Sequence, residues 1–449
     1  MAIDALQSLL LVLEAARPAL TAPGFVNFRV LFAGWVLTEG RHAVTEALVQ
    51  TGVAGRRHHE AFHRFFSRGT WSPDELGALV FRNILAVLPP DAPLFVAVDD
   101  TLAPRKGPEV FGIGSHLDAV RSTKRQKIFC FGHCWVTLAV VMPVPFSSRT
   151  WALPVLFRLY RTVKDCERKG HPHKKKTELA RELLDVVGSW AAGRSISVSM
   201  DSAYCNDTVM RGLPERFIVF GAMRPDADLT ALPRTKRPHA NGRPRVRGVP
   251  LPKPERLARD ERVPWQRVKA LLYGKVRTVE FKTYDAQWYR ACGVRLLRIV
   301  VVRVSTGSLG LRVFFSTDTS ATVRHILESY AQRWAIEVCF RDLKQLLGFS
   351  DSSARTEKAV ARTAPFVGFT YSLLVLWAVR GAYQLPVAAP PLRPWYLHKR
   401  GLAFADILRA AQRVLVATDV LDLPSPRDNL RELPRPRLRP SAARLKHAA

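Results

Sequence analysis

The stretch 330–344, YAQRWAIEVCFRDLK, constrains this chain more than any other. Helix-forming Ala, Arg, Glu, Leu and Lys dominate it, Gly and Pro are absent, and residues 318–320 supply N-cap types upstream. The spacing predicts one helix, on which Tyr330, Arg333, Glu337 and Lys344 fall within roughly 60° of one another at ~100° per residue. Arg341 lies close to the same stripe, while Leu343, Leu346 and Leu347 turn elsewhere for apolar packing. A lone carboxylate among cations is an ordinary ion-pair ladder on many helices. The same face also suits one carboxylate ligand of a divalent metal acting on a phosphodiester, with the cations holding phosphates. The rest of the chain decides between the two.

Charge narrows the partners. At 449 residues the chain is long enough for two or three domains and a large core. Lys and Arg outnumber Asp and Glu by 68 to 38, a formal charge of +30 spread along the whole length. A polyanion is the natural partner of such a surface, nucleic acid ahead of a membrane. The opening MAIDALQSLLLVLEAARPAL carries Asp4 and Glu14 and lacks a positive leader, so it reads as an amphipathic helix rather than a signal peptide. The most apolar segment, 363–379, contains Pro365, Gly368 and several polar residues and reads as a core helix, not a membrane span. Six cysteines without a CxxC pair indicate neither a disulfide framework nor a zinc ribbon. A cytoplasmic, nucleoid-associated protein is expected.

Residues 1–90 read as a helical module. Within it, 43–50 and 56–66, joined by a turn containing Gly52 and Gly55, have the proportions of a helix-turn-helix whose second helix opens with Arg56, Arg57 and His58. His59-Glu60-Ala61-Phe62-His63 also matches H-E-x-x-H, a zinc-protease pattern. Against zinc stand Phe66 where the extended pattern needs Gly, the lack of a third ligand downstream, and the flanking Arg56, Arg57 and Arg64, since cations weaken metal binding. A basic DNA-facing helix is the better reading.

From Leu94 the pattern turns to strands. LFVAV, 94–98, ends in Asp99-Asp100-Thr101, and a basic connection with Arg105, Lys106, Arg121, Lys124, Arg125 and Lys127 follows. Two strand-like runs, 128–142 and 150–160, precede a Lys-rich loop at 171–176 and an amphipathic helix at 178–190. SISVSMD, 195–201, is a strand closing on Asp201, and 217–223 is another. The order β-β-β-α-β-α-β predicts an α/β fold with acids at two strand ends, where sites collect in sheets with parallel members. Residues 225–262 turn basic and rich in Pro and Gly, and 276–284, 294–304 and 311–318 read as a β-rich subdomain inserted before the 330 stretch. The Arg-Pro tail from 424 reads as disordered.

Asp99, Asp201 and Glu337 thus come from two strand ends and one helix. Carboxylates converging on a point are stable as anions only around cations, and hard oxygen ligands select Mg2+ or Mn2+ rather than zinc. Two such ions ~4 Å apart activate water and stabilise the leaving oxygen of a phosphodiester. Asp100 competes with Asp99, but side chains alternate along a strand, so only one of the pair faces the site.

The Y-x2-R-x3-E-x6-K spacing at Tyr330, Arg333, Glu337 and Lys344 resembles the signature of bacterial insertion-sequence DDE transposases of the "insertion sequence four" group. D-x-T at Asp99–Thr101 and D-S-x-Y at Asp201–Tyr204 are similar to that group's first and second acid motifs. The resemblance, over roughly residues 20–385, implies an RNase H-like catalytic core in two parts, 91–224 and 318–390, around a basic loop and β-rich insertion at 225–317. A helical DNA-binding region at 1–90 precedes it and a C-terminal extension at 391–449 follows. Carried over, Asp99, Asp201 and Glu337 would bind two Mg2+ or Mn2+ ions, and Tyr330, Arg333 and Lys344 would hold phosphates of the transposon end. Arg341, Arg56, Arg57, Lys124 and Arg125 are further expected DNA contacts, and Trp288 or Trp265 the aromatic that stacks on a flipped base. The implied activity is cut-and-paste transposition, by a homodimer bridging terminal inverted repeats and then target DNA. A non-catalytic DNA-binding derivative of such an enzyme is the alternative.

Overall fold

A computed structural model describes residues 5–421 apart from 108, 119, 192, 234–244, 304–309, 392–393, 396–400 and 417. The middle of the expected basic loop and the tail from 424 lie outside the described residues. The helical elements before the sheet are α1 (Ala5–Leu13), α2 (Ala22–Leu37), α3 (Val44–Gln50), α4 (Glu60–Ser67) and α5 (Pro73–Leu85). Their starts follow local chemistry. Thr21 caps α2 through Gly24 N, and Ser72 caps α5 through Asp74 N with Pro73 and two acids in the first turn. The second helix of the expected DNA-binding pair opens at Glu60 and not at Arg56, because 54–58 is a turn followed by irregular chain. Arg56 therefore lies off the helix, paired with Asp419 at 2.6 Å, and Arg57 stacks over Phe62.

Next come β1 (Leu94–Pro104), β2 (Gly114–Leu117), β3 (Phe129–Val144), β4 (Ser147–Tyr160), α6 (Val163–Lys169), α7 (Lys176–Trp190), β5 (Ile196–Met200), α8 (Asp207–Met210) and β6 (Phe217–Met223). The remainder is α9 (Pro254–Arg259), β7 (Gln266–Leu272), β8 (Lys275–Gln287), α10 (Tyr289–Cys292), β9 (Leu296–Arg303), β10 (Arg312–Ser316), α11 (Val323–Gln332), α12 (Trp334–Leu346), α13 (Glu357–Val379) and α14 (Phe404–Leu415). The result is a mixed α/β protein built on one mixed sheet, in the order β2-β3-β1-β5-β6-β10-β9-β8-β7 with β4 on β3. β1 runs antiparallel to β3 and parallel to β5, which is parallel to β6. The strands of 266–316 extend this sheet edgewise from β6 through β10, so the expected insertion adds to the sheet rather than standing apart from it.

The sheet is covered on both faces, as its apolar strands require. Leu94, Val96, Ala97 and Val98 of β1 are all buried. The Asp100 side of β1 receives α7, and the Asp99 side receives α11 and α12. The apolar segment 363–379 is all but the first six residues of α13, which packs against β4 and is almost wholly buried inside the protein, the core role expected of it. Its Gly368 lets Phe157 of β4 approach, since a Cβ there would stand 2.2 Å from the ring. Gly77 of α5 does the same for the backbone of β4, whose Val155 carbonyl would lie 2.2 Å from an added Cβ.

An exposed helical Gly→Ala change gains about 1 kcal/mol. Gly77→Ala is expected instead to destabilise by about 1–3 kcal/mol in denaturant unfolding, because the intruding methyl must push α5 off β4. A neutral or stabilising result would contradict this packing.

Candidate active site

Asp99 does not end its strand, as the apolar run alone suggests. β1 continues through Pro104, and Asp99 pairs with Thr137 of β3. What stops at Asp99 is the neighbour on the other side. The last parallel pair is Val98 with Met200, so Asp99 and Asp201 stand one position beyond it on adjacent chains, which lie about 4.8 Å apart in a sheet. The register therefore sets two acids side by side where β5 turns away from β1.

The third acid arrives on α12, across a joint the sequence does not announce. The expected single helix over 330–344 is two, α11 and α12, meeting at Arg333. Thr322, not residues 318–320, caps α11. On either side of the joint the hydrogen bonds tighten to three-residue spacing, Arg333 N to Tyr330 O and Ile336 N to Arg333 O. Arg333 points inward. Its guanidinium donates to Asp99 Oδ2 at 2.6 Å and to Glu337 Oε1 at 2.6 Å, so one cation bridges a β1 carboxylate and an α12 carboxylate. Asp201 also acts electrostatically on Arg333. Although burial opposes its charge, Asp99, Tyr330, Glu337 and Asp201 raise the pKa of Arg333.

Burial dominates Asp99 in turn and lifts its pKa to about 7, against the pull of Arg333 and with help from the charges of Asp100 and Glu337. Asp100 points to the opposite face, as alternation along a strand demands. There Lys176 Nζ donates to its Oδ2 at 2.7 Å and Tyr204 OH to its Oδ1 at 2.6 Å. Burial works to raise its pKa, yet Lys176, Tyr204 and Cys134 hold it below the usual carboxylate range.

The other expected site residues scatter around this centre. Tyr330 packs on Phe314 with ring centroids 4.7 Å apart, beneath the Arg333 guanidinium at 5.8 Å. Lys344 is on the Glu337 side of α12 but about 10 Å further along the axis, within electrostatic reach of Asp118 and Cys130. Lys124 and Arg125 are exposed on the loop between β2 and β3. Arg341 turns onto Asp342 at 2.8 Å. Trp288 packs edge-on against Phe315, and Trp265 is covered by Arg303 and Lys282 at 4.3 and 4.7 Å from its ring. Sequence reasoning missed a different aromatic pair. Trp334, 48% exposed beside Arg333, meets Tyr273, 53% exposed at the tip of the β7–β8 hairpin, with centroids 5.9 Å apart. The only sequence signal for Tyr273 is Gly274 after it, since both take positive φ in a two-residue hairpin turn.

The residues fit a hard divalent cation in chemistry. The donors are carboxylate oxygens, one of them strongly desolvated, and a cationic group already lies between two of them. Among the described residues no three of His, Cys, Asp or Glu, the set of Asp99, Asp201 and Glu337 included, stand close enough to share a metal ion. The same holds for H-E-x-x-H, whose His59 precedes α4 and whose Glu60 pairs with Arg64.

An unfolded aspartate titrates near ~3.9, so between about pH 4 and about pH 7 the folded chain holds a proton on Asp99 that the unfolded chain has lost. This contribution to stability is full below about pH 4 and is lost as pH rises through about 7. Asn at this position cannot titrate. In metal-free buffer the melting temperature of the wild type relative to Asp99→Asn should therefore fall by a few degrees between about pH 4.5 and about pH 7.5. A difference that stays constant over that range would contradict the buried setting of Asp99.

The sequence pattern of the DDE superfamily endonucleases matches residues 19–287, and that of the archaeal ISC1217-type transposases matches residues 289–384. No curated protein matches the chain. The first match alone covers well over half of the length and carries Asp99 and Asp201, and the chain belongs to the DDE superfamily endonucleases.

Proposed function

We propose that this chain is a cut-and-paste DNA transposase, in which Asp99, Asp201 and Glu337 are the three acids of a metal-dependent strand-cleaving and strand-transferring site. One observation carries the reading: a β1 acid and an α12 acid already share a single cation, beside the strand end that bears the third. Two Mg2+ or Mn2+ ions held by these acids would activate water or a 3′-hydroxyl and stabilise the leaving oxygen. Sheet order supports an RNase H-like core, with antiparallel β4, β3 and β1 followed by parallel β5 and β6.

The chain's own residues supply the rest. Asp99 must give up the proton that burial favours before it can hold a cation. Arg333, once released from Asp99 and Glu337, is a guanidinium available to a DNA phosphate beside Tyr330. Lys344 on α12 and the exposed Lys124 and Arg125 of the β2–β3 loop would add phosphate contacts, and the net charge of +30 suits a long polyanion. The exposed Trp334–Tyr273 pair offers a base-stacking surface better placed than Trp265 or Trp288. Terminal repeats would be read by the helical region 1–90 within a homodimer, in the cytoplasm where the DNA lies. Membership of the "insertion sequence four" group rests on the Tyr330, Arg333, Glu337 and Lys344 spacing.

Glu337→Ala is the test. Mg2+-dependent nicking of a transposon end should fall by at least ~10^3-fold, about 4 kcal/mol of transition-state stabilisation, while binding of the same DNA without metal is kept. Nicking by the variant at the wild-type rate would remove Glu337 from the cleaving site, and no Mg2+-dependent nicking by the wild type would leave a protein that only binds DNA.

A further inference from the structure

The face of β1 opposite Asp99 carries a half-buried polar cluster that the cleavage chemistry does not use. Asp100 accepts hydrogen bonds from Lys176 at 2.7 Å, from Tyr204 at 2.6 Å and from the Cys134 thiol at 3.3 Å. These partners come from three elements: the first residue of α7, the turn after β5, and β3. Lys176 is placed against its helix dipole, since a cation in the first turn of a helix is unfavourable. Its position is explained by the carboxylate it meets, not by the helix it starts.

Connectivity gives the cluster its meaning. Asp201 opens a tight turn in which Tyr204 N donates to Asp201 O at 3.0 Å and Ser202 N donates to Asp201 Oδ1 at 2.7 Å. Tyr204 closes that turn and is itself only 2% exposed. Its hydroxyl reaches Asp100, the residue next to Asp99. Asp99 and Asp201 lie past the last paired residues of β1 and β5, so no ladder bond holds their separation. The Tyr204–Asp100 hydrogen bond spans that gap from below.

We propose that Asp100, Tyr204 and Lys176 are positioning residues that brace the Asp201 turn against β1 and so set the separation of Asp99 and Asp201; this rests on the reading of those two acids as metal ligands. Tyr204 supplies the tie. Lys176 donates to the other oxygen of the same carboxylate at 2.7 Å and so fixes the orientation in which Asp100 meets the phenol. The brace touches neither DNA nor the reacting atoms. Groups that orient metal ligands in this way typically change metal affinity 10–100-fold when removed.

The test uses the full-length protein and titrates Mn2+ by electron paramagnetic resonance, beside the Mn2+ dependence of DNA-end nicking. Tyr204→Phe, which removes one oxygen, should weaken Mn2+ binding about 10-fold or more and shift half-maximal nicking to correspondingly higher Mn2+. DNA-end binding without divalent metal should stay within about 2-fold, since the brace meets no phosphate. Lys176→Met should behave likewise and Lys176→Arg should recover part of the loss, a pair that carries the comparison if Tyr204→Phe does not fold. Wild-type Mn2+ affinity in both Tyr204→Phe and Lys176→Met, with only a lower melting temperature, would overturn the brace and leave an ordinary half-buried ion pair. Glu337→Ala separates the two levels. If it loses Mn2+ while Tyr204→Phe keeps it, the brace alone is wrong; if it too binds Mn2+ as the wild type does, the metal reading falls and the brace with it.

Discussion

The site depends on one contact, the Arg333 guanidinium held between Asp99 and Glu337. Two carboxylates brought together in a half-buried cleft repel each other, and each pays to leave water. A cation between them is what lets β1 and α12 approach. It also explains the break between α11 and α12, since the tight turn at Arg333 aims the side chain at the sheet instead of along the surface. The arrangement is poised: Asp99, lifted to about 7, is close to neutral pH in its proton affinity, and the cation it meets is a side chain that can swing away.

The sheet makes this contact reproducible. Antiparallel β3 carries β1 well beyond the end of β5, so Asp99 is rigidly held on one side and open on the other. α13, almost wholly buried, and the close approaches at Gly77 and Gly368 lock the helical layer to β4. α11 sits over a second, smaller core formed by Phe220, Phe281, Val300 and Ile326. Its Glu328 takes the Leu271 N–H at the end of β7, which draws the β7–β8 hairpin toward α12 and brings Tyr273 to Trp334.

How much of this was legible in the sequence follows from which interactions are local. The apolar, β-rich runs 94–98 and 195–201 announce two strands, because burial of an apolar run is a local pattern, and Asp201 marks the end of its own; β1 runs on past Asp99 because β3 keeps pairing with it. The core role of α13 was legible for the same reason, but not its start at Glu357. The break at Arg333 was not, since no Gly or Pro from Tyr330 to Lys344 interrupts a helix and the contact made at the joint is with a distant carboxylate on β1. Nor was the start of α4 at Glu60, where the turn and irregular chain at 54–58 displace Arg56 toward Asp419. β2, only four residues long, carries no periodic signal at all. Trp265 and Trp288 looked available because sequence cannot see the Arg303, Lys282 and Phe315 that cover them, and Tyr273 looked ordinary because its exposure is set by a hairpin turn. Alternation did foresee that Asp99 and Asp100 must part, but not that Asp100 would find a lysine and a phenol waiting.

The most direct measurement is a crystal of the full-length protein soaked in Mn2+, with the ions located by their anomalous scattering. The account predicts density for two ions among Asp99, Asp201 and Glu337, with the Arg333 guanidinium withdrawn from its two carboxylates. Arg333 still bridging Asp99 and Glu337, with Mn2+ bound elsewhere or not at all, would contradict it.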